Sequence, residues 1–157
     1  MRVRKAKVAD VPVIKQVIQP FVAAGRMLPR SLSELYSKLR DFYVCEDSGG
    51  RIVGCCGLHI VWADLAEIVS LAVIEQEQRK GIGQRLVNAC LEEAKDLGIS
   101  RVFVLTYEQA FFEKLGFKVV DKSIFPHKIW EDCLKCPKFP ECDEIAMLLV
   151  LNRDYAN

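Results

Sequence analysis

With 157 residues the chain is long enough to bury a substantial core as one domain. Hydrophobic residues make up 51% and charged residues 27%, a balance that excludes a disordered segment. A formal net charge of +1 offers no basic face to nucleic acid or to an anionic membrane, and no apolar run approaches the ~20 residues that span a bilayer.

The opening Met1-Arg2-Val3-Arg4-Lys5 leads into no apolar signal region, so the expected compartment is the cytoplasm. A short strand is predicted from Arg2 to Val8. Asp10 is placed to cap the helix that follows, with Pro12 in its first turn and Val13, Ile14, Val17, Ile18 and Phe21 on one face. Ser31 and Glu34 have the spacing of a capping box, opening a second short helix through Leu39. Strands Phe42 to Asp47 and Arg51 to Val61 flank the hairpin signal Ser48-Gly49-Gly50. Ala66 to Val73 reads as a third strand of this group. From Arg79 to Leu97 the apolar period becomes helical, through Ile82, Leu86, Val87, Cys90, Leu91, Ala94 and Leu97, and Gly98 supplies the stop. Val102 to Leu105 is a strand, Glu108 to Leu115 a short helix closed by Gly116, and Phe117 to Val120 and Glu144 to Leu151 are strands. The expected fold class is α/β, a mixed sheet flanked by helices in a single domain over residues 1–157, with a parallel pair where Ala66 to Leu105 runs strand, helix, strand.

The seven cysteines form an odd set in a chain without an export signal, which argues against a disulfide framework. Cys45, Cys55, Cys56 and Cys90 sit in apolar runs and read as small buried hydrophobes. Cys133, Cys136 and Cys142 cluster in one polar, proline-bearing segment. A C-x2-C step suits one metal ion gripped from a tight turn, and His127 would complete four ligands for a structural zinc. A proline-bent loop of unligated thiols and a redox pair are the competing readings, and nothing in the segment favours an iron–sulfur centre.

The segment that carries chemistry is a strand ending at Val73 followed by Gln78-Arg79-Lys80-Gly81-Ile82-Gly83-Gln84 at the start of a helix. Main-chain N–H groups there lack helical partners and the helix dipole is positive, so a phosphate is favoured. Gly81 and Gly83 remove side chains that would keep a diphosphate from the backbone, and Arg79 and Lys80 add charge. A tight start to a helix would use the same glycines without any ligand.

Gln78 to Gly83, Q-x-x-G-x-G, resembles the acetyl-CoA diphosphate loop of the GNAT acetyltransferase superfamily. Downstream, Phe111-Phe112-Glu113-Lys114-Leu115-Gly116-Phe117 resembles a second signature of the same superfamily, F-Y-x-K-x-G-F. A narrower resemblance, to the N-acetylglutamate synthase family, covers nearly the whole chain. It rests on Leu28-Pro29-Arg30-Ser31, Gly54-Cys55-Cys56-Gly57-Leu58, Asp64-Leu65-Ala66-Glu67-Ile68, Leu71-Ala72-Val73 and Val102-Phe103-Val104-Leu105-Thr106. The amino-acid-kinase-like domain that long members of that family carry is not expected in this chain.

The resemblance implies direct transfer of acetyl from acetyl-CoA to an amine, with no covalent enzyme intermediate, and with L-glutamate as acceptor in the first step of arginine biosynthesis. It implies Glu67 as general base, where apolar neighbours Ile68 and Val69 favour the protonated carboxyl. The main chain of Leu71, Ala72 and Val73 would pair with pantetheine. Gln78 through Gln84, with Phe112 and Lys114, would contact the cofactor. Thr106 matches the hydroxyl assigned as acid in the synthase family, with the adjacent Tyr107 as fallback. The superfamily often places a tyrosine acid where this chain has Phe112, and a phenyl ring donates no proton. Arg30, with Ser31 beside it, matches the acceptor-binding segment, since a guanidinium fits a carboxylate bidentately. Lys122, His127 and Lys128 are candidates for the second carboxylate. Expected partners are therefore small molecules, with no nucleic acid or membrane, and self-association into a homodimer is compatible with the family.

Two competing readings keep the fold. One is acetylation of another small amine, such as glutamine, another amino acid or a polyamine; Arg30 and several lysines favour an anionic acceptor. The other is a silent acyl-CoA-binding sensor, supported by Phe112 and opposed by Glu67 and Thr106.

Overall fold

The computed structural model describes residues 1–125 and 144–151. In chain order the elements are β1 (Arg2–Lys5), α1 (Val11–Ala23), α2 (Leu32–Ser37), β2 (Phe42–Glu46), β3 (Ile52–Trp62), β4 (Leu65–Val73), α3 (Ile82–Asp96), β5 (Arg101–Thr106), α4 (Gln109–Lys114), β6 (Lys118–Val119) and β7 (Ile145–Val150), with single 3-10 turns between some of them. The strands form one seven-stranded sheet in the order β1-β2-β3-β4-β5-β7-β6. β4 and β5 pair in parallel, and β1 with β2, β2 with β3, β5 with β7 and β6 with β7 are antiparallel. This is the mixed α/β sheet expected from the sequence. Among the described residues, no helix is long and apolar enough to cross a membrane.

The chain divides into two compact units, Met1–His59 with Ile68–Glu93, and Ile60–Glu67 with Ala94–Asn157. The first has a core of Val11, Ile14, Val17 and Ile18 from α1, Leu35 from α2, and Phe42, Val44, Ile52, Cys55 and Ala72 from the strands. Each such aliphatic side chain contributes roughly 1.5–3 kcal/mol when fully buried. Cys45, Cys55, Cys56 and Cys90 are all buried free thiols, as their apolar surroundings in the sequence indicate. Gly54 lets α3 lie close on β3, because a Cβ there would stand 3.1 Å from Leu86 Cδ1 and 3.4 Å from Ile82 Cγ2. The second unit packs Leu65, Phe103, Phe125 and Ala146 together. Its parallel register runs from Leu65 beside Arg101 to Glu67 beside Phe103. Asp64 anchors that register: its carbonyl accepts from Arg101 N–H at 3.0 Å, and its carboxylate pairs with the Arg101 guanidinium at 3.2 Å.

The capping box of α2 forms as expected. Ser31 Oγ accepts from Glu34 N–H at 3.1 Å, and Ser31 N–H donates to the Glu34 carboxylate at 3.3 Å. Three local expectations are corrected. Asp10 does not cap α1. Its carboxylate accepts from Lys7 N–H at 2.7 Å and pairs with Arg4 Nη1 at 2.7 Å, and the Arg4 guanidinium holds the carboxyl below the usual carboxylate range. The second helix ends at Ser37 rather than Leu39, where a 3-10 turn takes over. The long helix begins at Ile82 rather than Arg79, because Arg79 holds a left-handed backbone at φ 66°. The proposed zinc ligands Cys133, Cys136, Cys142 and His127, and the candidate Lys128, lie outside the described residues.

Candidate active site

In the first unit, the segment from Val73 to Gln84 leaves a strand and enters a helix. Ile74 N–H donates to Val53 O at 2.9 Å, fixing the exit from β4 to its neighbour β3. A 3-10 turn over Glu75–Glu77 follows. Arg79 at φ 66° and Gly81 at φ 81° then bracket Lys80, and successive N–H groups in such left-handed turns form an anion-binding concavity. Gly81 O accepts the first bond of α3, from Arg85 N–H at 3.1 Å, so the N–H groups of Ile82, Gly83 and Gln84 have no intrahelical acceptor. A Cβ built on Gly81 meets no atom within 4 Å, so its side of the turn is open. The main chain here fits a diphosphate. Side chains contribute less than the sequence suggests: Lys80 Nζ pairs with Glu77 at 2.7 Å, and Gln78 Nε2 donates to Val73 O at 2.9 Å.

Leu71, Ala72 and Val73 form the end of β4. Just before them Ser70 takes φ 52°, an unusual backbone for a non-glycine residue inside a strand, and its carbonyl accepts from Cys55 Sγ at 3.4 Å. Burial pushes the Cys55 thiol up to about 12. Cys56, hydrogen-bonded to Cys90 with the sulfurs 3.7 Å apart, is also held well above the ordinary thiol value. Neither has the thiolate character of a nucleophile.

Also in this unit, Arg30 is buried, with 8% of its surface exposed. Its guanidinium Nη1 lies 3.5 Å from Glu34 Oε2, and its carbonyl accepts from Lys15 Nζ at 2.7 Å. Burial works against ionisation of Glu34, yet the Ser31 N–H and the Arg30 charge hold its carboxyl below the ordinary value. Arg30 is thus no solvated loop arginine, and Ser31 spends its hydroxyl oxygen on the cap.

The second unit holds the remaining predicted residues. Glu67 is half-buried on β4, the last of the three β4 positions whose parallel register with β5 is given above. Thr106 ends β5 and is buried, and its Oγ1 accepts from Glu108 N–H at 2.9 Å. The hydroxyl oxygen is therefore an acceptor, and its proton is directed elsewhere. Tyr107 is half-buried beside it and Lys114 is exposed.

Phe112 is a core residue, 2% exposed, with its ring 4.9 Å from Phe111 and 5.2 Å from Phe117 in edge-to-face contacts. Its motif has a structural explanation. Phe117 N–H donates to Phe112 O at 3.1 Å and Gly116 N–H to Glu113 O at 3.0 Å, with Gly116 at φ 96°. That is a Schellman motif with its accompanying apolar contact, so an apolar side chain at position 112 and glycine at 116 serve packing and backbone geometry whether or not a hydroxyl is present. Gly98 closes α3 in the same way, with Ile99 N–H on Ala94 O at 2.9 Å.

Sequence reasoning missed two interactions that organise these regions, the Asp64–Arg101 tie and the bond to Val73 O made by Gln78, which the sequence reads as a cofactor contact. The first had no signal. The second had one, a hydrogen-bonding residue at a fixed place before the glycines.

A mixed sheet with a glycine-turned helix start after β4 defines the class as an acyltransferase-like α/β domain. The family model described as Acetyltransferase (GNAT) family matches residues 19–117, and the chain belongs to that family; it is an N-acetyltransferase enzyme. It is 42% identical over 149 residues to an uncharacterized N-acetyltransferase of Chlorobaculum tepidum, covering 95% of this chain and 96% of that one. To an amino-acid acetyltransferase of Mycobacterium tuberculosis it is 38% identical over 133 residues, covering 83% of this chain and 75% of the relative. Among solved structures, N-acetylglutamate synthase of Neisseria gonorrhoeae, complexed with coenzyme A and N-acetyl-glutamate, superimposes with a TM-score of 0.88 at 29% identity. That match covers 97% of this chain and 35% of the synthase.

Proposed function

We propose that this protein transfers the acetyl group of acetyl-CoA to the α-amino group of L-glutamate by direct attack in a ternary complex, the reaction that opens arginine biosynthesis. The observation that carries the reading is the match along nearly the whole chain to a synthase holding coenzyme A and N-acetyl-glutamate. Residues 1–157 are taken as one acetyltransferase domain working on small molecules in the cytoplasm.

The chain's own groups then have these tasks. The N–H groups of Ile82, Gly83 and Gln84, with the turn at Arg79 and Gly81, receive the diphosphate at the positive end of α3. The main chain of Leu71 to Val73 pairs with the pantetheine arm. Glu67 takes a proton from the acceptor ammonium, directly or through a water, freeing the nucleophilic amine. Thr106, whose oxygen already accepts from Glu108 N–H, directs its own proton towards the departing thiolate, and that accepted bond makes it a better donor. Arg30 faces the acceptor carboxylate. The high proton affinity of Cys55 and Cys56 supports direct attack over a cysteine-bound intermediate.

A second reading, a neutral amino acid such as glutamine as acceptor, is favoured by the Arg30–Glu34 ion pair, which already answers part of the Arg30 charge. Coenzyme A release measured against a panel of amino acids and amines separates the two. The first reading expects glutamate to have the highest kcat/KM; a preference for glutamine or another amine removes it, and silence across the panel favours a sensor. Arg30→Ala should raise the acceptor KM about tenfold or more, as expected for a lost charge-assisted contact, while the acetyl-CoA KM stays within about twofold. Equal rises in both would assign Arg30 to folding alone.

A further inference from the structure

Gln78 opens the Q-x-x-G-x-G pattern, and its side chain turns back on the protein. Its Nε2 donates at 2.9 Å to the carbonyl of Val73, the last residue of β4. Within the segment so closed, Glu77 N–H donates to Ile74 O at 2.9 Å and Gln78 N–H to Glu75 O at 3.2 Å. Residue 73 is thereby tied to residue 78 through a side chain, across a turn that holds itself with main-chain bonds. The next residue, Arg79, has a left-handed backbone that a non-glycine residue resists, and such conformations persist only where the surroundings fix them. Among the described residues no other side chain of this stretch binds the strand, and Lys80 pairs with Glu77, on its own turn.

We propose that Gln78 is a positioning residue that ties the diphosphate loop to the end of β4. Its amide fixes the entry to Arg79, so that the N–H groups leading into α3 are presented as a preformed set rather than ordered at the moment of binding. This inference rests on the acetyl-CoA reading and adds to it a role for a side chain whose position in the motif suggests a direct ligand contact. Preorganisation lowers the entropic cost of binding a ligand, so loss of the tie weakens affinity for the diphosphate, while the end of β4 assigned to the thioester arm keeps its own tie through Ile74 N–H to Val53 O.

The test uses Gln78→Met, which keeps side-chain length and removes the donor, with Gln78→Ala as a second variant. Gln78 is exposed, so neither change enters the core. Calorimetry should show the Kd for coenzyme A rising about fivefold, the size expected for one neutral hydrogen bond. With S-acetylpantetheine, which lacks the diphosphate, kcat/KM should stay within about twofold of wild type. In the unliganded protein, backbone order parameters at residues 79–84 should fall from near ~0.85 towards ~0.6. Equal losses with both thioester donors, unchanged coenzyme A affinity, or lost affinity with unchanged order parameters would each overturn the proposal. A wild type that binds coenzyme A no tighter than pantetheine would overturn the acetyl-CoA reading itself, and this inference with it.

Discussion

The loop from Val73 to Gln84 offers its ligand main-chain groups, whereas Glu67 and Thr106 offer side chains. In the loop, Gln78 and Lys80 spend their polar ends on Val73 and Glu77, and beside the exposed Arg79 and Gln84 side chains the loop presents backbone set by two left-handed residues. At Glu67 on β4 and Thr106 on β5 the backbone is paired within the sheet, and any chemistry there has to come from a half-buried carboxylate and a buried hydroxyl. A diphosphate needs many weak donors at fixed positions, which a backbone supplies cheaply; a proton transfer needs one group of defined acidity, which only a side chain supplies. The two regions should therefore respond in opposite ways to substitution: the strands to the loss of one functional atom, the loop to a change of backbone conformation.

The largest effect is expected at Glu67. Glu67→Gln keeps the shape and removes the base, so kcat should fall by ~10²–10⁴ while coenzyme A still binds within about twofold of wild type. Turnover near neutral pH that survives the change would take Glu67 out of the mechanism and leave this half of the comparison without its base. Thr106→Val should lower kcat by about tenfold, less than a full acid–base loss because a thiolate leaves readily. It also strips Glu108 N–H of its acceptor, costing about 1 kcal/mol of stability. Thr106→Ser restores both functions and should recover kcat. A Ser variant as slow as the Val variant would show that packing rather than the hydroxyl matters, and Tyr107 would become the candidate acid.

The difference between the regions also decides what the sequence discloses. Glycine at 81 is visible because few other residues hold φ 81° without strain, and the Gly98 and Gly116 stops are visible for the same reason. The apolar period of α3 marks its buried face from Ile82 to Ala94, but Leu97 lies past the helix end and is exposed. The period also fails at the first turn, where Arg79 reads as an ordinary helix former and is in fact left-handed. Asp10 misleads because its partner Arg4 comes from β1, and local spacing cannot weigh a cap against an ion pair with a neighbouring strand. The Glu34–Arg30 pair is legible as an i, i+4 spacing, but the burial that makes it matter is not. Phe112 teaches most: against the family pattern it reads as a lost acid, and in the structure it is the ring that a Schellman motif packs against Phe117. A motif letter records every reason for a residue at once, and only the contacts separate them.

For the loop, the sharper test is conformational. Gly81→Ala adds a Cβ that meets no protein atom within 4 Å, so any loss comes from the left-handed backbone or from the ligand. The strain is ~1–2 kcal/mol, and the acetyl-CoA KM should rise about fivefold to tenfold with little change in kcat. Gly81→Asn distinguishes the two causes, since asparagine tolerates the left-handed region better but is larger. A smaller loss for Asn than for Ala assigns the effect to conformation. The reverse order would mean that the ligand presses on the Cα face, and the glycine would then be selected by contact instead.

The smallest effect is expected at Lys80, the residue that charge alone would rank first. Its ammonium is exposed and paired with Glu77 at 2.7 Å, an i, i+3 contact on the same turn. Exposed pairs of this kind contribute roughly 0–1 kcal/mol and are screened within about 8 Å at physiological ionic strength. Removing the lysine also frees Glu77, so the net change in local charge is offset by a carboxylate that must find water. Lys80→Ala should therefore move the acetyl-CoA KM by less than about twofold at physiological salt, and by somewhat more at low salt. A rise of tenfold or more, vanishing at high salt, would show that the loop holds its diphosphate by side-chain charge. The contrast with Glu67 and Thr106 would then collapse, because both regions would be working through single side chains.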